Sequence, residues 1–272
     1  MKKLLGVCLI GLLAFVLAAC GDEEGGADSK SIKLGATAGP YSDMLKKAII
    51  PQLEEKGYEV ELTEFSDYIQ PNIALNKGDI DANLFQHTIY LENFEKENEM
   101  DLEALILVPT APMGFFSEKF KSVEDITDGA TVALPNDPVN AARTLLTLQE
   151  QGLIEIDPNI EELKASEKDV IVNNKNLKFQ PLEAAALPRA IGSTDITAVP
   201  GNFALAAGLD LLDAMFLENM PDQYRNVVAV KADQKDSQLA KDIKEIVESE
   251  EFDKTIDTEF QGFGKPEWMK NR

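Results

Sequence analysis

The sequence is poor in the residue types that most metal sites and disulfides require. Its 272 residues include two cysteines and one histidine. Transition-metal sites usually need several imidazole or thiolate ligands, so we expect no dedicated zinc or manganese site and no other cofactor. A site made of carboxylates alone stays open, because acidic residues are abundant. The G-x-S-x-G elbow, the H-E-x-x-H motif and the P-loop are also missing, so we do not expect an enzyme.

Basic residues are scarce relative to acidic ones. The chain has 26 Lys and Arg residues against 48 Asp and Glu residues, which gives a formal net charge of -22. A surface of this sign repels nucleic acid and anionic lipid headgroups. We therefore expect no nucleic-acid partner, and any attachment to a membrane must come from something other than charge.

The N-terminus has the pattern of an export signal. A basic start, Met-Lys-Lys, is followed by an apolar run at residues 4–17 and then by Ala18, Ala19 and Cys20. Small residues at the end of such a run indicate a secretory signal, and a small-small-Cys ending resembles a bacterial lipobox. A membrane-spanning helix, the alternative, usually needs about 20 apolar residues. The sequence predicts a signal peptide at residues 1–19 and lipidation at Cys20.

Lipidation at Cys20 has consequences for the rest of the chain. Cys8 would leave with the signal peptide, so no disulfide could form within the mature monomer. Two or more acyl chains hold a protein at a membrane because each buried methylene contributes about 0.8 kcal/mol. We expect a lipid-anchored protein at the extracytoplasmic face of the bacterial cell membrane. Residues 20–31 are rich in Gly and acids, which predicts a flexible tether.

From residue 32 onward, strand patterns alternate with helix patterns. This alternation predicts an α/β fold with largely parallel sheets. The number of units favours two lobes: residues 32–110 plus 228–272 form lobe 1, and residues 111–227 form lobe 2. Ligands of open α/β sheets bind beyond the carboxyl ends of the strands, so the sequence predicts a ligand cleft between the lobes.

One candidate site lies on a predicted helix over residues 137–151. Asp137 is a good N-cap and Pro138 a good first helical residue. Asn140 and Arg143 share a face that lies opposite the apolar stripe of this helix. A helix N-terminus with an arginine beside it suits a carboxylate group. The alternative is an ordinary solvated helix face.

A second candidate site is a group of aromatic residues around the single histidine. Tyr68, Phe85, His87 and Tyr90 lie within a short stretch of the chain. A strand is predicted at residues 79–85, and Phe85 at its end and His87 two residues further on could project on the same side. Aromatic rings suit an apolar or thioether group, since each sulfur–aromatic contact contributes about 0.3–1.5 kcal/mol. The alternative is that these rings are core residues and that His87 is structural.

Several local motifs occur together in one order along the chain. They are Phe65-Ser66-Asp67-Tyr68, Lys77-Gly78-Asp79-Ile80-Asp81-Ala82-Asn83, Phe85-Gln86-His87, Pro135-Asn136-Asp137-Pro138, Leu187-Pro188-Arg189 and Gly201-Asn202-Phe203-Ala204. In this order and spacing they resemble the methionine-binding lipoproteins of ABC importers, the NlpA family. The resemblance runs from about Ile32 to the end of the chain. It implies the two-lobed fold of type II periplasmic binding proteins.

The resemblance also implies roles for particular residues. Arg143 would hold the ligand carboxylate, and Asn140 and Asn202 would bind the polar end of the ligand. The side-chain pocket would be lined by Tyr68, Phe85, His87 and Tyr90. The family often has tyrosine where Phe116 and Phe203 stand here, so the polar contacts are expected to differ.

The function implied is that of a substrate-binding protein. It would bind methionine (L or D), a closely related amino acid or a methionine dipeptide, and deliver it to the permease subunits of an ABC transporter. The alternative is a surface-anchored adhesion or interaction lipoprotein on the same scaffold.

Overall fold

The computed structural model describes residues 30–271, and its main feature is a pair of five-stranded sheets with helices packed around them. The predicted signal peptide, Cys20 and most of the predicted tether lie outside these residues. The strands are β1 Lys30–Thr37, β2 Tyr58–Phe65, β3 Ala82–His87, β4 Leu102–Leu107, β5 Gly114–Phe116, β6 Thr131–Pro135, β7 Ile154–Ile156, β8 Val170–Asn173, β9 Lys178–Leu182, β10 Ile196–Val199, β11 Phe216–Leu217 and β12 Asn226–Lys231. The α-helices are α1 Pro40–Met44, α2 Ile50–Glu55, α3 Gln70–Lys77, α4 Thr88–Asn98, α5 Pro138–Glu150, α6 Leu187–Ala190, α7 Gly201–Ala206, α8 Gln238–Val247, α9 Glu250–Glu259 and α10 Glu267–Lys270. A π-helical turn, Leu45–Ile49, joins α1 to α2.

The first sheet has the strand order β2-β1-β3-β12-β4. Strands β1, β2 and β3 are parallel, whereas β12 is antiparallel to both of its neighbours. Every residue of β3 is buried because the strand lies in the middle of the sheet. The edge strand β2 instead places glutamates at exposed positions between partly buried ones. Helices α8 and α9 cover this sheet, with Ile243 and Phe252 in its core.

The second sheet has the order β11-β5-β10-β6-β9. Strands β6, β9 and β10 are parallel, and β5 is antiparallel to both β10 and β11. A separate core packs beneath it and includes Phe115, Val132 and Leu145. The two sheets therefore have separate hydrophobic cores.

The chain passes between the sheets twice. It leaves β4 for β5 through residues 108–113 and returns from β11 to β12 through residues 218–225. The expectation of largely parallel sheets is wrong in detail, since each large sheet has two parallel and two antiparallel pairings. All of the antiparallel pairings involve β5 or β12, which are the strands that follow the two crossings. The predicted lobe limits stay a prediction.

Several element boundaries differ from those that the sequence predicts. Strand β1 begins at Lys30 and pairs with β2 from that residue, so Lys30 and Ser31 do not belong to the tether. The strand predicted at residues 79–85 lies at Ala82–His87, because residues 78–81 form a turn that brings Asp81 onto the backbone of Lys33. The patterns did not predict α9 or the hairpin of β7 and β8.

Within residues 30–271, the structure has no helix with the length and apolar character needed to span a membrane.

Gly201 allows the second sheet to approach the first crossing. It opens α7 and is buried, and an added Cβ would lie 2.4 Å from the Pro112 carbonyl oxygen and 2.7 Å from the Ala111 Cβ. Such distances are too short for non-bonded atoms, so a side chain here would push α7 away from the crossing.

We predict that Gly201→Ala lowers the free energy of unfolding by about 1–3 kcal/mol, the usual range for overpacking. Chemical denaturation of both proteins measures this difference. Gly192→Ala is the matched control, because a Cβ there meets its nearest atom, Oε1 of Glu118, at an ordinary 3.7 Å. Equal losses in the two variants would contradict the steric explanation.

Candidate ligand-binding site

A cavity lies between the two sheets, and the space in it and its opening to solvent together amount to about 340 Å³. It sits at the carboxyl ends of their parallel strands, where the sequence predicts a cleft. All seven residues predicted to bind a ligand line this cavity. The full lining is Tyr41, Tyr68, Phe85, Gln86, His87, Tyr90, Thr110, Ala111, Asn140, Arg143, Pro200, Gly201, Asn202 and Asn226.

Strand β3 and helix α4 supply the wall from the first sheet. Phe85 and His87 alternate along β3 and reach the cavity from the same side of the strand. His87 is also the N-cap of α4, since the Tyr90 N–H donates to its Nδ1 at 3.1 Å. One side chain therefore ends the strand, starts the helix and faces the cavity.

The N-cap hydrogen bond determines which nitrogen of His87 carries the proton. Because Nδ1 accepts a hydrogen bond, Nε2 is the protonated nitrogen, and it donates to Oδ1 of Asn140 at 3.2 Å. Burial and the nearby charge of Arg143 lower the pKa of His87 from 6.5 to about 3. The imidazole is thus neutral, and the interpretation of His87 as purely structural is incomplete because the ring also faces the cavity.

Asn140 is held in one orientation from both ends. Its Nδ2 donates to the carboxylate of Asp137 at 3.1 and 3.2 Å, and its Oδ1 accepts from His87. Asp137 caps α5, as predicted, by accepting from the Asn140 N–H at 2.9 Å. Burial raises the pKa of Asp137, although its hydrogen bonds oppose this rise. A line of hydrogen bonds therefore runs from α4 of the first half to the N-terminus of α5.

Arg143 lies one turn further along α5, and its side chain is only 6% exposed. Its Nε donates to Oε2 of Glu218 at 2.6 Å, and its Nη2 donates to Oε1 of the same carboxylate. Its Nη1 donates to Oδ1 of Asn140 at 3.3 Å. Burial tends to lower the pKa of Arg143, but Glu218 outweighs burial and raises it. The alternative of a solvated helix face is wrong, because Asn140 and Arg143 are both buried.

Asn202 contributes an amide from the second half. Its Oδ1 accepts from the hydroxyl of Tyr68 at 2.5 Å, which is a second hydrogen bond between the two halves. Its Nδ2 is buried and has no hydrogen-bond partner among residues 30–271. A buried donor without a partner costs about 1–3 kcal/mol, so this nitrogen marks a place where a ligand acceptor would be stabilising.

The aromatic residues that line the cavity form one connected group. The rings of Tyr68, Phe85 and Tyr90 have centroids 5.8–6.1 Å apart. Phe203 of α7 packs on Tyr68 at 4.9 Å. The two alternatives for these rings, core and pocket, are therefore not exclusive, since they pack on one another and also face the cavity. Phe203 and Phe116 both belong to the apolar cluster behind Tyr68.

Sequence patterns did not identify several residues of this site. Glu218 lies in the second crossing and Asn226 begins β12, so neither belongs to a motif that points to a ligand. The only local sign of a role for Asn226 is that it is a polar residue placed directly before the apolar run 227–230. Gln86, Tyr41 and Thr110 also line the cavity. No group of three or more His, Cys, Asp or Glu side chains within residues 30–271 could hold a metal ion.

Comparison with known proteins identifies the family of this chain. The NlpA lipoprotein family model matches residues 32–268. The chain belongs to the NlpA lipoprotein family. The D-methionine-binding lipoprotein MetQ of Salmonella typhi is 36% identical over 263 residues, which cover 96% of this chain and 95% of that protein.

Solved structures of NlpA-like proteins share the fold. A nutrient-binding protein from Burkholderia cenocepacia, solved bound to methionine, is 39% identical with a TM-score of 0.81, over 85% of this chain and 97% of that one. A crystal structure of the methionine-binding protein MetQ is 35% identical with a TM-score of 0.81, over 87% and 99% of the two chains. The predicted α/β fold of periplasmic-binding-protein type is thereby confirmed.

The state of His87 leads to a pH prediction. Its pKa is about 3 in the folded protein and ordinarily 6.5, so the unfolded chain binds the extra proton between these values. The contribution of His87 to the free energy of unfolding is therefore complete above pH 6.5. It decreases as the pH drops towards 3, by at most about 1.4 kcal/mol per pH unit. Arg143 and Tyr90 lie close to the ring, and both have raised pKa values, so neither titrates in this window.

His87→Asn tests the pH prediction, because asparagine can still cap α4 but does not titrate. Denaturation curves at several pH values between 6.5 and 4 should show a shallower loss of stability in the variant than in the wild type. Carboxylates titrate in both proteins, so the difference between the two curves is the quantity that counts. Parallel curves would show that folding does not lower the pKa of His87.

Proposed function

We propose that this protein is the substrate-binding lipoprotein of an ABC importer. In this proposal it binds methionine, a closely related amino acid or a methionine dipeptide in the cavity between the two sheets. The observation that carries the proposal is the lining of that cavity, which combines one guanidinium, several amides and a group of aromatic rings. A relative 39% identical to this chain was solved with methionine bound.

The two sides of the cavity suit the two ends of methionine. The carboxylate would accept from the Nη1 edge of Arg143 and from the unpartnered Nδ2 of Asn202. The thioether would lie against the rings of Tyr68, Phe85 and Tyr90, where each sulfur–aromatic contact contributes about 0.3–1.5 kcal/mol. The residues match the chemistry expected of a site that orients a small zwitterion.

The proposed mechanism is closure of two lobes around the ligand. Lobe 1 would comprise the predicted residues 32–110 and 228–272, extended by residues 30–31 of β1 and 226–227 of β12, and lobe 2 would comprise the rest of the predicted 111–227, which is residues 111–225. Hydrogen bonds from His87 to Asn140 and from Tyr68 to Asn202 join the two sheets at the cavity. A ligand that contacts both lobes favours the closed form through its higher affinity for that form. The permease would then recognise the closed protein.

Anchoring and delivery complete the proposal. Lipid on Cys20 and the tether that follows would hold the domain at the extracytoplasmic face of the cell membrane, next to the permease subunits. The relatives are named as binding proteins, and we propose no catalytic activity. The adhesion alternative offers no reason for a buried guanidinium and an unpartnered amide at one cavity, so binding and transport are favoured.

A thermal-shift screen of amino acids tests the function. A ligand that binds only the folded protein stabilises it by RT ln(1 + [L]/Kd), which is about 2.7 kcal/mol at 100 times Kd. We expect methionine or a methionine dipeptide to raise the melting temperature and amino acids with charged side chains to have no effect. The absence of any selective shift would favour an adhesion protein.

We predict that Arg143→Ala weakens methionine binding by about 2–5 kcal/mol, the range for loss of one partner of a buried charge pair. Calorimetry well below the melting temperature measures the change, because Glu218 also loses its partner and the variant will be less stable. Arg189→Ala removes an exposed arginine and serves as the control for charge. Near-equal affinities of Arg143→Ala and Arg189→Ala would exclude the proposed role.

A further inference from the structure

The charge on Arg143 is balanced before any ligand arrives. Arg143 is the only side chain with a full charge among the residues that line the cavity. Behind it lies the carboxylate of Glu218, whose side chain is 3% exposed. His87 faces the same space as a neutral ring. The wall that meets a ligand carboxylate thus offers donors without a net positive charge.

Glu218 is itself fixed by the two crossings of the chain. Its Oε1 accepts from the Met113 N–H at 2.6 Å, and its own N–H donates to the Met113 carbonyl at 3.0 Å. Because both carboxylate oxygens bind the Nε and Nη2 side of Arg143, the guanidinium cannot rotate. Its Nη1 is not bound to Glu218 and lies next to Asn140, which lines the cavity.

This pairing changes what the site can select. In a buried site, charges interact far more strongly than in water, so an anion that approaches Arg143 is also repelled by Glu218. A further carboxylate, Asp137, interacts with Arg143 and lies behind Asn140, to which it is hydrogen-bonded. A ligand that carries only a carboxylate brings an uncompensated charge, whereas a zwitterion brings its own ammonium.

We propose that Glu218 is a specificity-determining residue that positions Arg143 and cancels its charge, so that the cavity accepts zwitterionic amino acids and rejects anions of the same shape. This proposal rests on the proposed function, because it concerns the ligand of that same cavity. Glu218 does not touch the ligand in this scheme and acts through Arg143.

Two ligands of nearly equal shape test the charge selection. Methionine is the zwitterion, and 4-(methylthio)butanoate is the same molecule without its amino group. Calorimetry gives the ratio of their dissociation constants for each protein. In the wild type we expect methionine to bind at least about tenfold more tightly. Binding of the anion within about threefold of methionine would overturn the proposal without any variant.

Variants at Glu218 separate charge from position. Glu218→Gln removes the negative charge, and we expect the preference for methionine over the anion to fall by about tenfold or more. Glu218→Asp keeps the charge, so its ratio should stay close to that of the wild type even if both ligands bind more weakly. Glu155→Gln removes an exposed charge on β7 as a control and should change nothing.

These experiments distinguish failure of the role proposed for Glu218 from failure of the proposed function. If the wild type binds no methionine, the proposed function fails. If Glu218→Gln binds methionine with an unchanged ratio, only the role of Glu218 fails, because a merely structural residue would weaken both ligands equally. If Glu218→Gln does not fold, the wild-type ratio and Glu218→Asp decide: a shifted ratio in Glu218→Asp overturns the proposal, and a retained one supports it.

Discussion

A guanidinium buried between two sheets is the constraint on which this site depends. Removing such a charge from water is costly, and the cost is offset only by a well-placed partner and further hydrogen bonds. Glu218 is that partner, and it sits on the segment that returns the chain to the first sheet. The charge pair therefore links the place where the two halves are joined to the place where a ligand would be held.

A chain of neutral hydrogen bonds extends from this pair into the other half. Arg143 bonds to Asn140, which accepts from the protonated Nε2 of His87, and His87 in turn caps α4. Burial keeps the imidazole neutral, so its direction of donation is fixed. His87 starts α4 in one half and Asp137, bound to Asn140, starts α5 in the other, while His87, Asn140 and Arg143 line the cavity between them. Stability and binding are consequently coupled in this region, since a change at one residue alters a helix end and a cavity wall together.

The cavity combines two kinds of wall because two kinds of element meet there. Helix N-termini and crossings supply amides and the guanidinium, whereas β3 and α4 supply rings that pack on one another. A small zwitterion with an apolar side chain has the same division within a single molecule. That correspondence, together with membership of the NlpA family, is the basis for assigning methionine or a close relative to this site.

The sequence by itself determined the α/β class, the helix α5 that follows Asp137, and the seven polar and aromatic residues that prove to share one cavity. Periodicity, capping residues and local motifs carry that information because each depends on neighbours in the chain.

Only the tertiary structure decided that Arg143 is buried, that Glu218 neutralises it and that Asn226 joins the cavity. These residues come from the crossings and from the start of a returning strand, and their partners are brought together by packing of segments far apart in the chain. The antiparallel strands next to the crossings have the same origin, since the direction of a strand depends on where the chain enters the sheet and not on its local residues.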